Sequence, residues 1–406
     1  MKKNILVGQS GGPTAVINAS LYGVIAEGMA RPEEVDHVYG MVNGIEGFLS
    51  GHVMDLSSLT HEDLILLKQT PAAYLGSCRF KLPENLDAPV YSLLFEKFKS
   101  MNIGACFYIG GNDSLDTVSK LSRYGERVGS DIRFIGVPKT IDNDLIETDH
   151  TPGFGSAAKY VAATVREIVL DASVYEQKAV TIIELMGRHA GWLTAASVLA
   201  RKKKEDNPVL IYLPESNFDL ENFARDLKQA LEKRNCVIVC VSEGISDASG
   251  KFICEYGSEA SVDNFGHKML TGCGKVLENF VRNRFGVKVR SVELNVSQRC
   301  SGMVVSGTDV EEAALAGMEG VKGALKGETG KMVAFARISN PGEEYRMECR
   351  FVDVNQVCNQ EKAVPAEWIT GDGNDIGEKF IQYALPLIQG EPERIMENGL
   401  PKYLYR

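Results

Sequence analysis

A chain of 406 residues has room for two or three domains with sizeable cores, at roughly 150 residues each. With 44% hydrophobic and 24% charged residues it has an ordinary globular composition, which excludes a disordered tail protein and a disulfide-stapled miniprotein. A net charge of -10, from 54 acidic against 44 basic residues, argues against a nucleic-acid footprint, and no apolar run approaches the ~18 residues that cross a bilayer.

In chain order, Asn4–Val7 reads as the first strand. Ile5, Leu6 and Val7 are too short an apolar run for a secretory leader, so the expected location is the cytoplasm. The strand runs into Gln9-Ser10-Gly11-Gly12-Pro13-Thr14 and a helix over Ala15–Ala26. Gly11 and Gly12 let backbone approach a ligand without a Cβ, and the helix N-terminus behind them favours an anion; the same residues also make an ordinary tight turn. Ile103–Ile109 repeats the design, ending in Gly110-Gly111-Asn112-Asp113 before a helix from about Ser114. Asp113 is there either as a helix cap or as a carboxylate brought to the turn. Two such turns point to a shared phosphate site.

A third strand, Ile132–Val137, enters Pro138-Lys139-Thr140-Ile141-Asp142-Asn143-Asp144. Asp142 and Asp144, two apart in an extended stretch, point to one side, with the Lys139 cation and the Thr140 hydroxyl just upstream. Such a set holds a divalent metal on phosphate oxygens or deprotonates a hydroxyl nucleophile; an Asx-turn loop is the plain alternative. After a helix over Ala157–Leu170 and a strand over Val180–Glu184 comes Met186-Gly187-Arg188-His189. An arginine held by a glycine turn suits bidentate phosphate contact, whereas His189 reads as polar surface. Helices over Gly191–Ala200 and Asn222–Leu231 and strands over Val209–Tyr212 and Val237–Val241 continue the alternation. Cys236 and Cys240 fall in the last of these; nine cysteines, an odd number with no C-x-x-C pair, are expected as reduced structural thiols. Glu243 ends that strand as a candidate acceptor for a sugar hydroxyl. Arg290 and Arg299 bracket a strand-like run, placed either to meet one phosphate from two sides or to lie on the surface. Beyond about Lys331 the pattern loosens, and the tail from Pro386 reads as an appended cover without chemistry.

Strand–helix alternation predicts an α/β fold: two Rossmann-like three-layer domains with largely parallel sheets and an active-site cleft between them, at the strand ends that carry the glycine turns. Arginines, a lysine, three carboxylates and two glycine turns in one cleft point to phosphoryl transfer to a hydroxyl, a reaction of positioning and charge stabilisation. Residue chemistry alone does not name the donor.

In this order, Gly11-Gly12, Gly76-Ser77-Cys78-Arg79, Gly110-Gly111, Thr140-Ile141-Asp142-Asn143-Asp144, Met186-Gly187-Arg188, Glu243 and Gln298-Arg299 resemble the phosphofructokinase family over roughly residues 3–330. The resemblance implies that Asp142 takes the proton from the C1 hydroxyl of fructose 6-phosphate, that Thr140 and Asp144 orient it, and that Arg188 and Arg79 steady the transferring phosphoryl group. Thr140, Ile141, Met186, Gly187 and Glu243 would line the sugar, and Arg290, Val296 and Arg299 its 6-phosphate, Val296 standing where many relatives have a histidine or tyrosine. A neighbouring subunit can supply one of those arginines, which implies a homodimer or homotetramer. The family's further arginine before the Met-Gly-Arg strand has no counterpart in register, Lys178 lying one residue away.

ATP-dependent members resemble Gly-Gly-Asp-Gly-Ser and Pro-Gly-Thr-Ile-Asp-Asn-Asp; here Asp113 and Lys139 replace a glycine in each, as in the pyrophosphate-dependent branch. Asp113 puts bulk and negative charge where a nucleotide's α-phosphate must pass, and Lys139 offers a cation to a compact donor. The donor site would comprise Gly11, Gly12, Arg79, Gly111, Asp113 and Lys139. Asn112 stands where many relatives have an acid associated with Mg²⁺, so Mg²⁺ is expected near Asn112 and Asp113. The expected domains are 1–145 with a returning segment near 290–345 for pyrophosphate, 146–290 for fructose 6-phosphate, and 346–406 as an extension packed on the core. The expected reaction is reversible transfer from pyrophosphate to fructose 6-phosphate, giving fructose 1,6-bisphosphate and phosphate in glycolysis and gluconeogenesis. The rivals are an ATP-dependent 6-phosphofructokinase, a non-catalytic regulatory subunit of such an enzyme, and a dehydrogenase, which lacks its dinucleotide fingerprint.

Overall fold

The computed structural model describes residues 2–257, 272–340 and 342–406. Two sheets organise them. The first has seven strands, β1 (Lys3–Gln9), β2 (Val35–Met41), β3 (Val53–Asp55), β4 (Ile103–Gly110), β5 (Arg133–Pro138), β10 (Lys331–Arg337) and β11 (Met347–Asp353), in the order β11-β10-β5-β4-β1-β2-β3. The second has four parallel strands in the order β7-β8-β6-β9, with β6 at Ala179–Leu185, β7 at Leu210–Tyr212, β8 at Cys236–Ser242 and β9 at Lys288–Glu293. In the first sheet only the edge strands β3 and β11 run antiparallel to their neighbours.

Continuous apolar runs form the inner strands β1, β4, β5, β6 and β8, which are buried on both faces. Ile5 and Val7 of β1 belong to a core with Ile17, Leu21 and Val24 of the helix Ile17–Met29, while Leu6 faces a second core with Tyr91, Leu94 and Phe98. The helix Ile17–Met29 lies unusually close to the helix Gly307–Leu325: a Cβ on Gly23 would sit 2.0 Å from the Ala314 carbonyl, and one on Gly317 2.2 Å from that of Ser20. Only glycine allows that approach, which draws the returning chain onto the first sheet.

Three sequence expectations are corrected. The strand-like run between Arg290 and Arg299 is β9, and Arg290 lies inside it rather than at its edge. The helix expected over Gly191–Ala200 is α-helical only at Trp192–Ala196 and tightens to a 3₁₀ turn at Ser197–Ala200. The pattern that loosens beyond about Lys331 still builds sheet: the returning segment expected near 290–345 begins only after β9 and runs on into β11. Its β10 pairs in parallel with β5 and its β11 closes the sheet edge, so this sheet extends past residue 346, while β9 places the stretch up to Glu293 in the second sheet. All nine cysteines are free thiols, and no helix among the described residues is long and apolar enough to cross a membrane.

Candidate active site

Parallel pairing aligns the carboxyl ends of β1, β4 and β5, so the turns after Gln9, Gly110 and Pro138 converge. Lys139 is the centre of this edge. Its side chain is turned inward, only 3% of the residue is exposed, and Nζ donates to the Gly12 carbonyl at 2.7 Å. Burial pushes the ammonium down to about 8; Arg299 and Arg79 push the same way, against Asp142 and Asp144. A Cβ on Gly11 would sit 3.5 Å from that ammonium, and one on Gly12 3.2 Å from Nη1 of Arg299, so both glycines keep open the space in front of the cations. Asp113 is not a helix cap: the helix runs Asn112–Arg127 with Gly111 at the cap, and Asp113 stands in its first turn, 3.4 Å from Nζ of Lys81.

Asp142 and Asp144 follow on the next loop. The Thr140 hydroxyl is 3.4 Å from a carboxylate oxygen of Asp142 and accepts from its backbone N–H at 3.1 Å. Burial raises Asp142, against the pull of Lys139, the Thr140 hydroxyl, Arg188 and Arg299. Burial, then repulsion from Asp142, raises Asp144 to about 7. Asn143 between them takes a left-handed backbone (φ 54°). It is anchored on both sides: Nδ2 donates to the Tyr383 hydroxyl at 2.8 Å, and Oδ1 accepts from the Thr151 N–H at 3.1 Å. Ile141 is 6% exposed and packs in the core cluster that holds Phe154 and Trp192.

Across the cleft, β6 and β8 end side by side at Leu185 and Ser242, which puts Met186, Gly187 and Arg188 against Glu243. Gly187 has φ 142°, and a Cβ there would meet the Ala190 carbonyl and the Ser242 hydroxyl at 2.7 Å. Its N–H donates to Glu243 at 3.4 Å. Burial, opposed by that N–H and by Arg188 but aided by Asp142, lifts Glu243 to about 7. Nε of Arg188 is buried without a hydrogen-bond partner. Gln298, 2% exposed, accepts from the Met186 N–H at 3.2 Å and so ties the short helix Ser297–Cys300, which carries Arg299, to the end of β6.

The profile of the family described as Phosphofructokinase matches residues 4–294. The chain belongs to that family. A Methylococcus capsulatus protein named pyrophosphate–fructose 6-phosphate 1-phosphotransferase is 39% identical over 407 residues, covering 99% of this chain and 95% of that one. A Xanthomonas campestris protein of the same name is 41% identical over 405 residues, with 99% and 95% covered. The crystal structure of a pyrophosphate-dependent phosphofructokinase from Nitrosospira multiformis superposes with a TM-score of 0.89 at 36% identity, covering 100% of this chain and 96% of that one.

Within this phosphofructokinase chain two expected neighbours are separated. Arg299 faces Gly12, Lys139 and Asp142. Arg290 pairs in register with Thr181, five positions before Met186, or roughly 16 Å along the strand at ~3.3 Å per residue. Its guanidinium lies 3.8 Å from Asp171 in a surface cavity of about 290 Å³ that Thr164, Glu167 and Val292 also line. One chain therefore does not bring both arginines to one phosphate. Val296 is 51% exposed at the start of the Arg299 turn. Arg79 is exposed but close enough to act on the Lys139 ammonium. Lys178 donates to the Leu231 carbonyl at 2.7 Å, at the far end of β6 from Met186.

Sequence reasoning missed the segment behind the Lys139–Asp149 loop. Lys362 N–H donates to the Asp144 carbonyl at 2.6 Å, and its Nζ to the carbonyls of Thr148 and Asp149 at 3.1 and 2.8 Å. No local period marks a lysine or a Tyr383 that acts on a loop more than 200 residues away.

Proposed function

We propose that this chain is a pyrophosphate-dependent 6-phosphofructokinase, reversibly transferring a phosphoryl group from pyrophosphate to the C1 hydroxyl of fructose 6-phosphate. The observation that carries the reading is the Lys139 ammonium, buried at the Gly12 carbonyl where the three donor turns meet. A compact, highly charged donor makes good the cost of burying that cation, and Asp113 adds negative charge where a nucleotide would extend. Gly11, Gly12, Gly111, Lys139 and Arg79 bind the donor on the first sheet. The second sheet presents Met186, Gly187 and Glu243 to the sugar, so the division into a donor and a sugar domain follows the two sheets.

Asp142 removes the C1 hydroxyl proton. The oxygen attacks the nearer phosphorus, the bridging P–O bond breaks, and phosphate departs with the electron pair. Burial keeps Asp142 basic enough to accept a proton, and Thr140 and Asp144 fix its direction. Arg188, with its Nε unmatched in the protein, and Arg79 steady the phosphoryl oxygens. Glu243, near 7, is able to donate to or accept from a sugar hydroxyl at neutral pH. Arg299, whose Nη1 stands at Gly12 on the donor side, reaches from there to the sugar's 6-phosphate in this reading, with Val296 beside it and Arg290 of a second copy completing that site in a homodimer or homotetramer.

Mg²⁺ fits this site. Asn112 Oδ1 is buried without a hydrogen-bond partner while its Nδ2 is engaged by the Gln360 carbonyl at 3.0 Å, leaving an oxygen for a metal ion or its water. Asn112 and Asp113 would hold the ion together with phosphate oxygens, as Mg²⁺ at phosphate sites is commonly held. When bound it neutralises charge on the donor. A cytoplasmic enzyme of glycolysis and gluconeogenesis agrees with the free thiols.

Initial rates with Mg²⁺, fructose 6-phosphate and either pyrophosphate or ATP as sole donor test the reading. Turnover with pyrophosphate alone is expected. A rate with ATP alone would remove the donor roles of Asp113 and Lys139, and no rate with either would leave the regulatory subunit.

A further inference from the structure

The chain from Gln360 to Lys362 crosses behind the site and touches three of its walls. Gln360 accepts from Asn112 of the donor turn at 3.0 Å. Lys362 N–H donates to the Asp144 carbonyl at 2.6 Å, and its own carbonyl accepts from Trp192 Nε1 at 2.7 Å, at the start of the helix after the Met-Gly-Arg turn. Two residues on, the Val364 N–H donates to Glu215 at 2.9 Å, the same carboxylate that accepts from the Gly191 N–H at 2.8 Å. The strap thus uses its own main-chain atoms to join the donor wall, the carboxylate loop and the sugar wall.

Its one cation has no carboxylate partner among the described residues. Nζ of Lys362 donates to the Thr148 and Asp149 carbonyls and lies 5.2 Å from the centre of the Trp192 ring. Burial lowers this ammonium to about 8, with Arg337 acting the same way and Asp149 and Asp144 opposing. Keeping a lysine there costs desolvation that methionine would avoid, so the charge itself calls for a use. Asp144 supplies one. The groups acting on Asp144 are Asp142 and Glu361, which disfavour its charge, and Lys362, which favours it. Those acting on Asp142 from other elements are Lys139, Arg188 and Arg299.

We propose that Lys362 is a positioning residue for phosphoryl transfer: it clamps the Asp144–Asp149 stretch from behind and sets a buried positive charge behind Asp144, the neighbour of the base Asp142. This rests on the reading of Asp142 as the base. Lys362 touches neither donor nor sugar; it acts through the loop. The strap therefore belongs to the machinery of the reaction, although it lies outside the segment that the family profile covers.

The test is steady-state kinetics of the full-length enzyme with pyrophosphate and fructose 6-phosphate as a function of pH. Lys362→Met should lower kcat by about 10- to 100-fold with both KM values nearly unchanged, the scale of a small misplacement of a reacting group. Removing the cation disfavours ionised Asp144, which titrates together with Asp142, so the acid limb of kcat should move to higher pH. Glu361→Gln, at an exposed position on the same strap, removes an anion and should move that limb to lower pH while leaving the clamp in place. Opposite shifts from adjacent residues are not what a merely structural strap produces. If Lys362→Met fails to fold, the Glu361→Gln profile decides alone. An unmoved acid limb in Glu361→Gln, or a soluble Lys362→Met enzyme with wild-type kcat, overturns the proposal. Turnover retained in Asp142→Ser would instead sink the base assignment, a separate outcome.

Discussion

The two faces of the loop from Lys139 to Asp149 are built on opposite rules. On its cleft face Lys139 and Asp142 are both shifted by burial toward their neutral forms, and on the neighbouring walls Nε of Arg188 and Oδ1 of Asn112 have no protein partner. Its rear face is mostly paired, although Nε of Arg337 is buried without a partner. His150 holds Asp149 at 2.9 Å and Glu312 at 2.7 Å, Tyr345 donates to Glu312 at 2.7 Å, and Arg337 donates to Asp149 at 2.9 Å. Tyr383 links the faces, accepting from Asn143 and donating to the Asp149 carbonyl. The lesson is a division of labour. Unmatched groups face the cleft on one side, and a largely paired network holds them in place from the other.

That contrast breaks most visibly at Asp142. Asp142→Ser should lower kcat by ~10²–10⁴-fold, the usual contribution of a general base, with the KM for fructose 6-phosphate little changed; near-normal turnover in a stopped assay would remove the base from the cleft face. Lys139→Met comes next. Its ammonium titrates near 8, so it is charged below that pH and loses its charge above. The wild-type KM for pyrophosphate should therefore rise as pH passes through about 8, whereas the variant should bind at least about tenfold more weakly without that dependence. Parallel pH profiles for the two enzymes would mean that Lys139 does not meet the donor.

The rear face should show itself in stability before rate. His150 is raised to about 9 by the Glu312 and Asp149 carboxylates, which outweigh its burial. A raised folded value means that its stabilisation is complete below the unfolded value of ~6.5 and is lost as pH climbs through about 9. Thermal melts should show Tm falling over that interval. Glu312→Gln should lower Tm at neutral pH and flatten the slope, with breaking of a buried pair costing about 3–5 kcal/mol, while kcat at 25 °C changes least of the three. A slope unchanged in the variant would place the proton elsewhere.

Much of the cleft face was legible in the chain because its signals are local. A glycine pair between an apolar run and a helix, or Lys139, Thr140, Asp142 and Asp144 after a strand, sit within a few residues of one another, and parallel pairing then sets them side by side. The rear face was not legible. Asn143 and Tyr383 are 240 residues apart, and Lys362 and Thr148 are 214 apart, with no spacing to announce either contact. The final segment reads as loose because β11 and the short helices after it are half-exposed, so they lack the buried periodicity that marks a core element.

By itself the sequence determined the alternation of strands and helices, the strand ends where a ligand binds, and the residue types that make a phosphoryl-transfer site, since these follow from side-chain period and backbone freedom over short windows. Only the tertiary structure decided that Arg290 and Arg299 lie apart, that the chain after Lys331 completes the first sheet, and that a strap from that return stands behind Asp144. Those are matters of which distant surfaces meet. They are settled by burial of whole faces and by the need to pair buried polar groups, and no window of neighbouring residues contains either.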